Sequence, residues 1–367
     1  VVKGKVSTKN LSLHALLKGI GVGDLPLEVL ISGEVDCGGP ALPKPLVVCV
    51  GQASGRDLRV DIEEKGKLQP LVALKEFSAD GGVQITHESV TYQAKAKVGQ
   101  DTGTSSGLIS YEKGFVIQYD TAAVRLDHVG SIAGLKVEGL AAISGSTRGD
   151  SDAATFEMKT KGRDIYFEDF FLGDAETQIK YAKGKLSFLD LTGRIIESPY
   201  RADVEADLMK SRIKVTGNSP QLRIEDLFAV FPRIFTVPVA LTGHASAQVE
   251  LEGPFQLGKL SYHLQAKVPH FTAAGEIFKD GDIEIRSIDG EVKSERASFR
   301  KGSQSITARG EGHPNGQIDI SLVGNQLLME ESELITALGA NISGFMDLGV
   351  QITGFILDPE VNIQAQL

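Results

Sequence analysis

Tryptophan is absent from the 367 residues, aromatic residues make up 6%, and cysteine occurs twice. Aromatic side chains supply much of the apolar area in compact cores, so this composition fits poorly with a set of thick globular domains. Two cysteines are too few for a disulfide framework. Positive charge is also short: 38 basic against 48 acidic residues leave a net charge of −10. That balance argues against a nucleic-acid partner and against docking on anionic lipid headgroups. No run of 18 apolar residues occurs, and the start of the chain (Val1 to Lys5) has no apolar stretch of the signal-peptide kind, so neither a spanning helix nor a leader is expected within these residues. Beginning in a strand-like stretch, the chain reads as a fragment of something longer. Glycine, in contrast, is plentiful at 41 residues, and with 41% hydrophobic and 23% charged residues the chain belongs to the folding class.

The dominant pattern is period two. From Leu260 the chain places Leu260, Tyr262, Leu264, Ala266 and Val268 on one face and Ser261, His263, Gln265 and Lys267 on the other, the signature of a half-wet strand. The same alternation runs through Leu58, Val60, Ile62; Val90, Tyr92, Ala94, Ala96, Val98; Phe115, Ile117, Tyr119; Ala202, Val204, Ala206, Leu208; Ala245, Ala247, Val249, Leu251; Ile318, Ile320, Leu322; and Val361, Ile363, Ala365, Leu367. Between them stand turn residues: Gly81-Gly82, Gly107, Gly145, Gly162, Gly193 and Gly217 read as breaks, and Asp280-Gly281 and Asn315-Gly316 as two-residue hairpins. About two dozen strands with few helices exclude alternating βαβ architecture. With no linker-like segment, one continuous sheet is expected, on the order of 110 Å long if strands are ~4.8 Å apart. It would curl, since long flat sheets are unusual. Residues 1–220 and 221–367 are expected as the two parts of this sheet.

Three short amphipathic helices interrupt the strands. Leu13, Leu16, Leu17 and Ile20 follow Asn10 and Ser12 as candidate caps; Ile224, Leu227, Phe228 and Phe231 precede Pro232; Ser332 caps Leu334, Ile335 and Leu338 ahead of Gly339. A strand pair of similar form follows each helix (27–40, 237–254 and 342–359), which makes a loose internal repeat. Cys37 and Cys49 flank the Gly38-Gly39-Pro40 turn signal. Two readings stand there: a disulfide between neighbouring antiparallel strands, or two ordinary buried thiols.

Catalytic patterns fail on context. Gly103-Thr104-Ser105-Ser106-Gly107 has the G-x-S-x-G form without the strand before and helix after it that would expose the serine, and reads as a hairpin loop ahead of a strand at Leu108. The seven histidines show no metal-ligand spacing. Asp280 to Glu284 begins like a calcium loop but lacks the later glycine and glutamate. Gly19 to Gly23 follows a helix and not a strand, so it reads as a helix end and not a phosphate cradle. No enzyme activity, cofactor or metal is expected. The shortage of aromatics and the charged faces also exclude a transmembrane β-barrel with aromatic girdles.

A short helix, glycine-bounded strand pairs and a closing Gly-x(9)-Gly step occur at Ile224–Phe231 with Val237–Pro254, and again at Gly344–Leu367. This pattern resembles the AsmA-like superfamily. The resemblance implies an all-β fold, an elongated β-taco: a curled, open trough of mostly antiparallel strands with an apolar inside. It further implies a periplasmic conduit for phospholipid between the inner and outer membranes of Gram-negative bacteria. An outer-membrane β-barrel protein would be its partner, and an inner-membrane anchor would lie in a segment outside this chain.

The physics of one uncovered apolar face leads the same way. A 16-carbon acyl chain entering water loses on the order of 10 kcal/mol, at ~0.8 kcal/mol per methylene, and an aliphatic trough removes most of that barrier. The acyl-facing residues expected are Val90, Tyr92, Val204, Leu208, Val249, Leu251, Leu260, Tyr262, Leu264, Val268, Ile318, Ile320, Leu322, Val361 and Ile363. Gln265, Glu250, Asp319 and Asn362 should face water. Two alternatives remain at this level: a string of β-sandwiches forming an extracellular adhesin or stalk, and a scaffold whose sheet edges receive strands of client barrels.

Overall fold

The computed structural model describes residues 2–19, 27–40, 44, 46–64, 67–132, 136–149, 154–167, 170–230, 240–255 and 259–367. In chain order its strands are β1 (Val2–Ser12), β2 (Leu27–Gly39), β3 (Leu46–Glu64), β4 (Lys67–Thr86), β5 (Ser89–Val98), β6 (Asp101–Ser110), β7 (Gly114–Arg125), β8 (Val129–Ile132), β9 (Val137–Gly149), β10 (Ala154–Phe167), β11 (Phe170–Ala182), β12 (Lys185–Ile195), β13 (Ser198–Asp207) and β14 (Arg212–Arg223). Then come β15 (Leu241–Pro254), β16 (Ser261–Ala273), β17 (Glu276–Ile288), β18 (Glu291–Lys301), β19 (Gln304–Gly312), β20 (Gln317–Leu328), β21 (Phe345–Phe355) and β22 (Asp358–Gln366). The helices are α1 (Leu13–Gly19), α2 (Ile224–Ala229) and α3 (Glu333–Ala337). None of the described helices is long and apolar enough to cross a membrane.

The fold is all-β. The 22 strands belong to one antiparallel sheet, which stays open and does not close into a barrel. A string of two-sheet sandwiches is therefore not the architecture. The chain forms two compact units: Val1–Glu168 with Gly173–Leu189 and Asp207–Lys210, and Asp169–Leu172 with Asp190–Ala206 and Ser211–Leu367.

In unit 1, β1 to β7 pair with their chain neighbours, β9 pairs with β7 and β10, and the short β8 pairs with one end of β4. In unit 2, β14 to β22 form an uninterrupted antiparallel series. Within each unit the helical turns sit at one end of the strands. Ser12 Oγ accepts from Ala15 N at the start of α1, and Ser332 Oγ accepts from Ile335 N at the start of α3, so each hydroxyl satisfies an otherwise orphaned helix amide.

Several positions read as turns lie inside strands. Gly81-Gly82, Gly107, Gly145, Gly162, Gly193 and Gly217 are strand residues, and the Gly/Ser/Thr stretch 101–107 is the first part of β6, not a loop. Rings from neighbouring strands explain two of these glycines. A Cβ at Gly107 would lie 2.4 Å from the Tyr92 ring, and one at Gly193 would lie 2.3 Å from the Tyr200 ring. Glycine there is the seat for a cross-strand aromatic, which returns the packing that glycine lacks.

Asp280-Gly281 is likewise no hairpin. It lies within β17, with Asp280 at φ 53 where the register to β18 shifts between Lys279 and Asp282. Asn10, Asp164 and Gln326 occupy the same left-handed region at register shifts in β1, β10 and β20. Mostly Asx residues, which tolerate this conformation, thus mark the bulges that bend the strands. A hairpin does join β19 and β20 at Asn315-Gly316, but its connection, residues 313–316, is longer than the two-residue form expected.

The accessible area is 22399 Å². Among the described residues the bulkiest fully buried side chain is Ser198.

Candidate functional site

Register aligns the aliphatic residues of unit 2 into rows across the strands. Val215, Leu251, Tyr262 and Ser287 form one, and Gly217, Val249, Leu264 and Ile285 the next. Further along, Gly310, Ile320, Ile352 and Val361 are successive partners, as are Ala308, Leu322, Val350 and Ile363, with Ile318 opposite Gly354. Side chains alternate between faces, so directly paired residues share one. A Cβ at Gly217 would lie 3.3 Å from Val249 Cγ1 and 3.6 Å from Ala202 Cβ, which puts Ala202, and Val204 two residues on, in the same surface.

Most residues of these rows are half-buried. Leu260 and Val268 are buried, whereas Val361 and Ile363 on β22 are 56% and 64% exposed. Burial pushes the Tyr262 phenol above its ordinary pKa, the expected effect of setting an ionisable ring among aliphatic neighbours. Val90, Tyr92 and Leu208 fall in unit 1.

The opposite face of unit 2 is ionic. Lys267 and Arg296 both pair with Asp282, while His263, Arg286 and Arg296 reach Glu284. Lys267 beside Asp282, and His263 beside Glu284, hold those carboxyls below their usual range. Gln265, Glu250, Asp319 and Asn362 are exposed. The two faces therefore differ in kind: one carries a mesh of ion pairs, the other half-buried aliphatic rows that become exposed at β22.

At the helical end of unit 2 a small closed cluster has formed. Phe271 stacks on Phe278 at 5.0 Å, and Phe299 meets both rings edge-on. Lys301, 6% exposed, lies 5.7 Å from the Phe278 ring centroid and pairs with Glu276 and Glu333. Glu276 also accepts from Ser332 Oγ and Leu334 N. Burial alone would raise its pKa, but the bonds from Lys301, Ser332 and Leu334 hold it down at about 2. This cluster fastens α3 to β17 and β18.

Unit 1 builds its equivalent face from residues of mixed size. Gly4, Cys37, Cys49, Val83, Tyr92, Gly107, Ile117, Thr147 and Phe156 are partners in a row from β1 to β10. Cys37 and Cys49, directly opposite in β2 and β3, are joined as a disulfide. Val90 lies two residues from Tyr92 on the same face. Tyr92 Oη and Ser105 Oγ are 2.9 Å apart. Open depressions cross this unit, one bordered by Glu34, Gln52, Asp80, Lys95, Thr104 and Asp120, a row that belongs to the polar face. Among the described residues no group of histidine, cysteine or carboxylate side chains could hold a metal ion.

No protein-family model, curated protein or solved structure matches the chain. The surface must be read from its own residues. Ile283 and Ile285, which register places beside Ala266 and Leu264, alternate with Asp282, Glu284 and Arg286 but directly follow the Asp280-Gly281 turn signal, which sets that segment apart as a hairpin in sequence. Val350 and Ile352 were within reach of the same pattern, at spacing two in "GVQIT".

Proposed function

We propose that the aliphatic face accepts acyl chains and that the protein is a periplasmic conduit for phospholipid between inner and outer membranes, supporting outer-membrane assembly. One observation carries this reading: in unit 2, Leu264, Ile285, Ile320, Ile352 and their neighbours line one side of a sheet that stays open. Ordinary domains cover such a face with helices or a second sheet. A hydrocarbon chain resting there trades one apolar environment for another, so it is neither expelled nor trapped.

The Cys37–Cys49 disulfide supports an oxidising compartment. The AsmA-like resemblance adds the periplasm, an inner-membrane anchor outside this chain and an outer-membrane β-barrel partner. Within that superfamily the chain most resembles TamB, the inner-membrane-anchored subunit of the translocation and assembly module.

Lipid extraction of the purified chain followed by mass spectrometry tests the reading. Phospholipid should be recovered from the native protein and lost from Leu264→Asp and Ile320→Asp, because each places an unpaired ion against hydrocarbon. Gln265→Asp should keep it. Circular dichroism must show an intact sheet in all three. Folded inner and outer variants with equal lipid, or a native protein free of lipid, would sink the conduit.

A further inference from the structure

The strands of unit 2 end, away from α2 and α3, in a series of hairpin tips. Two of them have ordinary turn chemistry, Asp289-Gly290 and Pro314-Asn315-Gly316. Another, between β21 and β22, does not. Its two turn residues are Ile356 and Leu357, preceded by Phe355; Ile356, Leu357 and Phe355 are 45%, 74% and 51% exposed. Two-residue turns favour asparagine, aspartate and glycine for their backbone freedom, and nothing in turn geometry asks for isoleucine and leucine.

The tip is held in place. Ile356 N donates to Gly316 O of the neighbouring tip at 2.9 Å, and Phe355 pairs with Asp358 across the turn. Ile288, beside the Asp289-Gly290 tip on the same edge of the unit, is a further apolar side chain, 68% exposed. The result is a small apolar projection fixed to a rigid sheet.

We propose that the Phe355-Ile356-Leu357 tip inserts into the interfacial region of a lipid bilayer of zwitterionic phospholipid. This rests on the conduit reading and deepens it by naming where the protein meets a membrane. Area favours a bilayer over a protein: a stable protein interface buries roughly 800 Å² on each partner, far more than three side chains at one turn supply, whereas membrane insertion gains with every methylene and has no such threshold. Charge selects the bilayer. Asp358 and Glu360 follow the tip, and the chain carries a net −10, so an anionic surface would repel what a zwitterionic one accepts.

The absence of tryptophan gives a clean test. In the full chain, Leu357→Trp places the sole indole at the tip. With phosphatidylcholine vesicles its emission should shift to the blue and be quenched by brominated acyl chains, while Asn315→Trp on the adjacent tip should not respond. Co-flotation with the same vesicles should fall at least tenfold in Ile356→Asp/Leu357→Asp, whose changes lie in an exposed turn and leave the dichroism spectrum intact.

No response from the Leu357→Trp variant, an equal response from the Asn315→Trp variant, or unchanged flotation of the double aspartate variant would overturn the proposal. So would a blue shift that needs no vesicles and grows with protein concentration, which would mark the tip as a contact between copies. Lipid extraction from the same preparation separates the two ideas. Recovered phospholipid without vesicle binding removes the tip and leaves the conduit, whereas vesicle binding by a lipid-free protein removes the conduit and leaves the tip.

Discussion

In unit 1 the row Gly33, Ala53, Ala79, Ala96 carries nothing larger than a methyl group, whereas in unit 2 the rows Ile320, Ile352, Val361 and Leu322, Val350, Ile363 carry branched aliphatic chains. Both units obey the same alternation, yet these rows differ in side-chain size. Alternation decides which face a residue joins, and side-chain size decides what that face can hold. The two units are also fastened differently. Unit 1 has a disulfide between β2 and β3 and a tyrosine ring over Gly107, while unit 2 has a phenylalanine cluster and a buried ammonium group between two glutamates.

The largest expected effect is on lipid. Ile320→Asp should remove at least nine-tenths of the recovered phospholipid, and Ala79→Asp, on the small-residue row of unit 1, less than half. Quantitative mass spectrometry of extracts decides it, and equal losses would erase the functional distinction between the units.

Next comes the fastening of α3. Lys301→Ala leaves Glu276 and Glu333 facing each other without their cation and should destabilise unit 2 by about 4 kcal/mol, read as an earlier urea transition. The pH dependence has a definite sign. Glu276 titrates at about 2 in the folded protein, below the ~4.3 of an unfolded glutamate, so its contribution is complete above the unfolded value. It is lost as pH falls through the folded value. The gap between native protein and Lys301→Ala should therefore narrow from pH 5 towards pH 2; a gap constant with pH would contradict the assigned pairing.

Reduction of Cys37–Cys49 should lower the stability of unit 1 by about 3 kcal/mol, from the chain entropy returned to its unfolded state, and leave the transition of unit 2 in place. Free-thiol titration in denaturant without reductant should find none. Smaller again, Gly107→Ala should cost about 2 kcal/mol by forcing the Tyr92 ring off its seat, and Gly107→Ala with Tyr92→Ala should recover part of it.

The sequence made the sheet and the three helix positions readable, because period two, i/i+3/i+4 spacing and the serine caps of α1 and α3 are local signals. It did not reveal which glycines end a strand. Gly107 and Gly193 look in sequence like Gly99 and Gly184, which stand in turns, and only the cross-strand Tyr92 and Tyr200 rings, contributed from 15 and 7 residues away, keep them inside strands. Asp280 escaped for a related reason: a left-handed aspartate before glycine serves a bulge as well as a hairpin, and the partner strand chooses. The pairing of Cys37 with Cys49 depended on register, which spacing alone left open. The Phe355-Ile356-Leu357 tip was hidden by its own composition, since three apolar residues read as strand.

Photocrosslinking in living cells tests the central claim most directly. A photoreactive side chain at Leu264 or Ile320 should form adducts with phospholipid, and the same group at Gln265 or Asp319, one residue along on the ionic face, should form none. Adducts of equal yield at both parities, or only protein adducts at Leu264 and Ile320, would contradict an open aliphatic face that carries acyl chains.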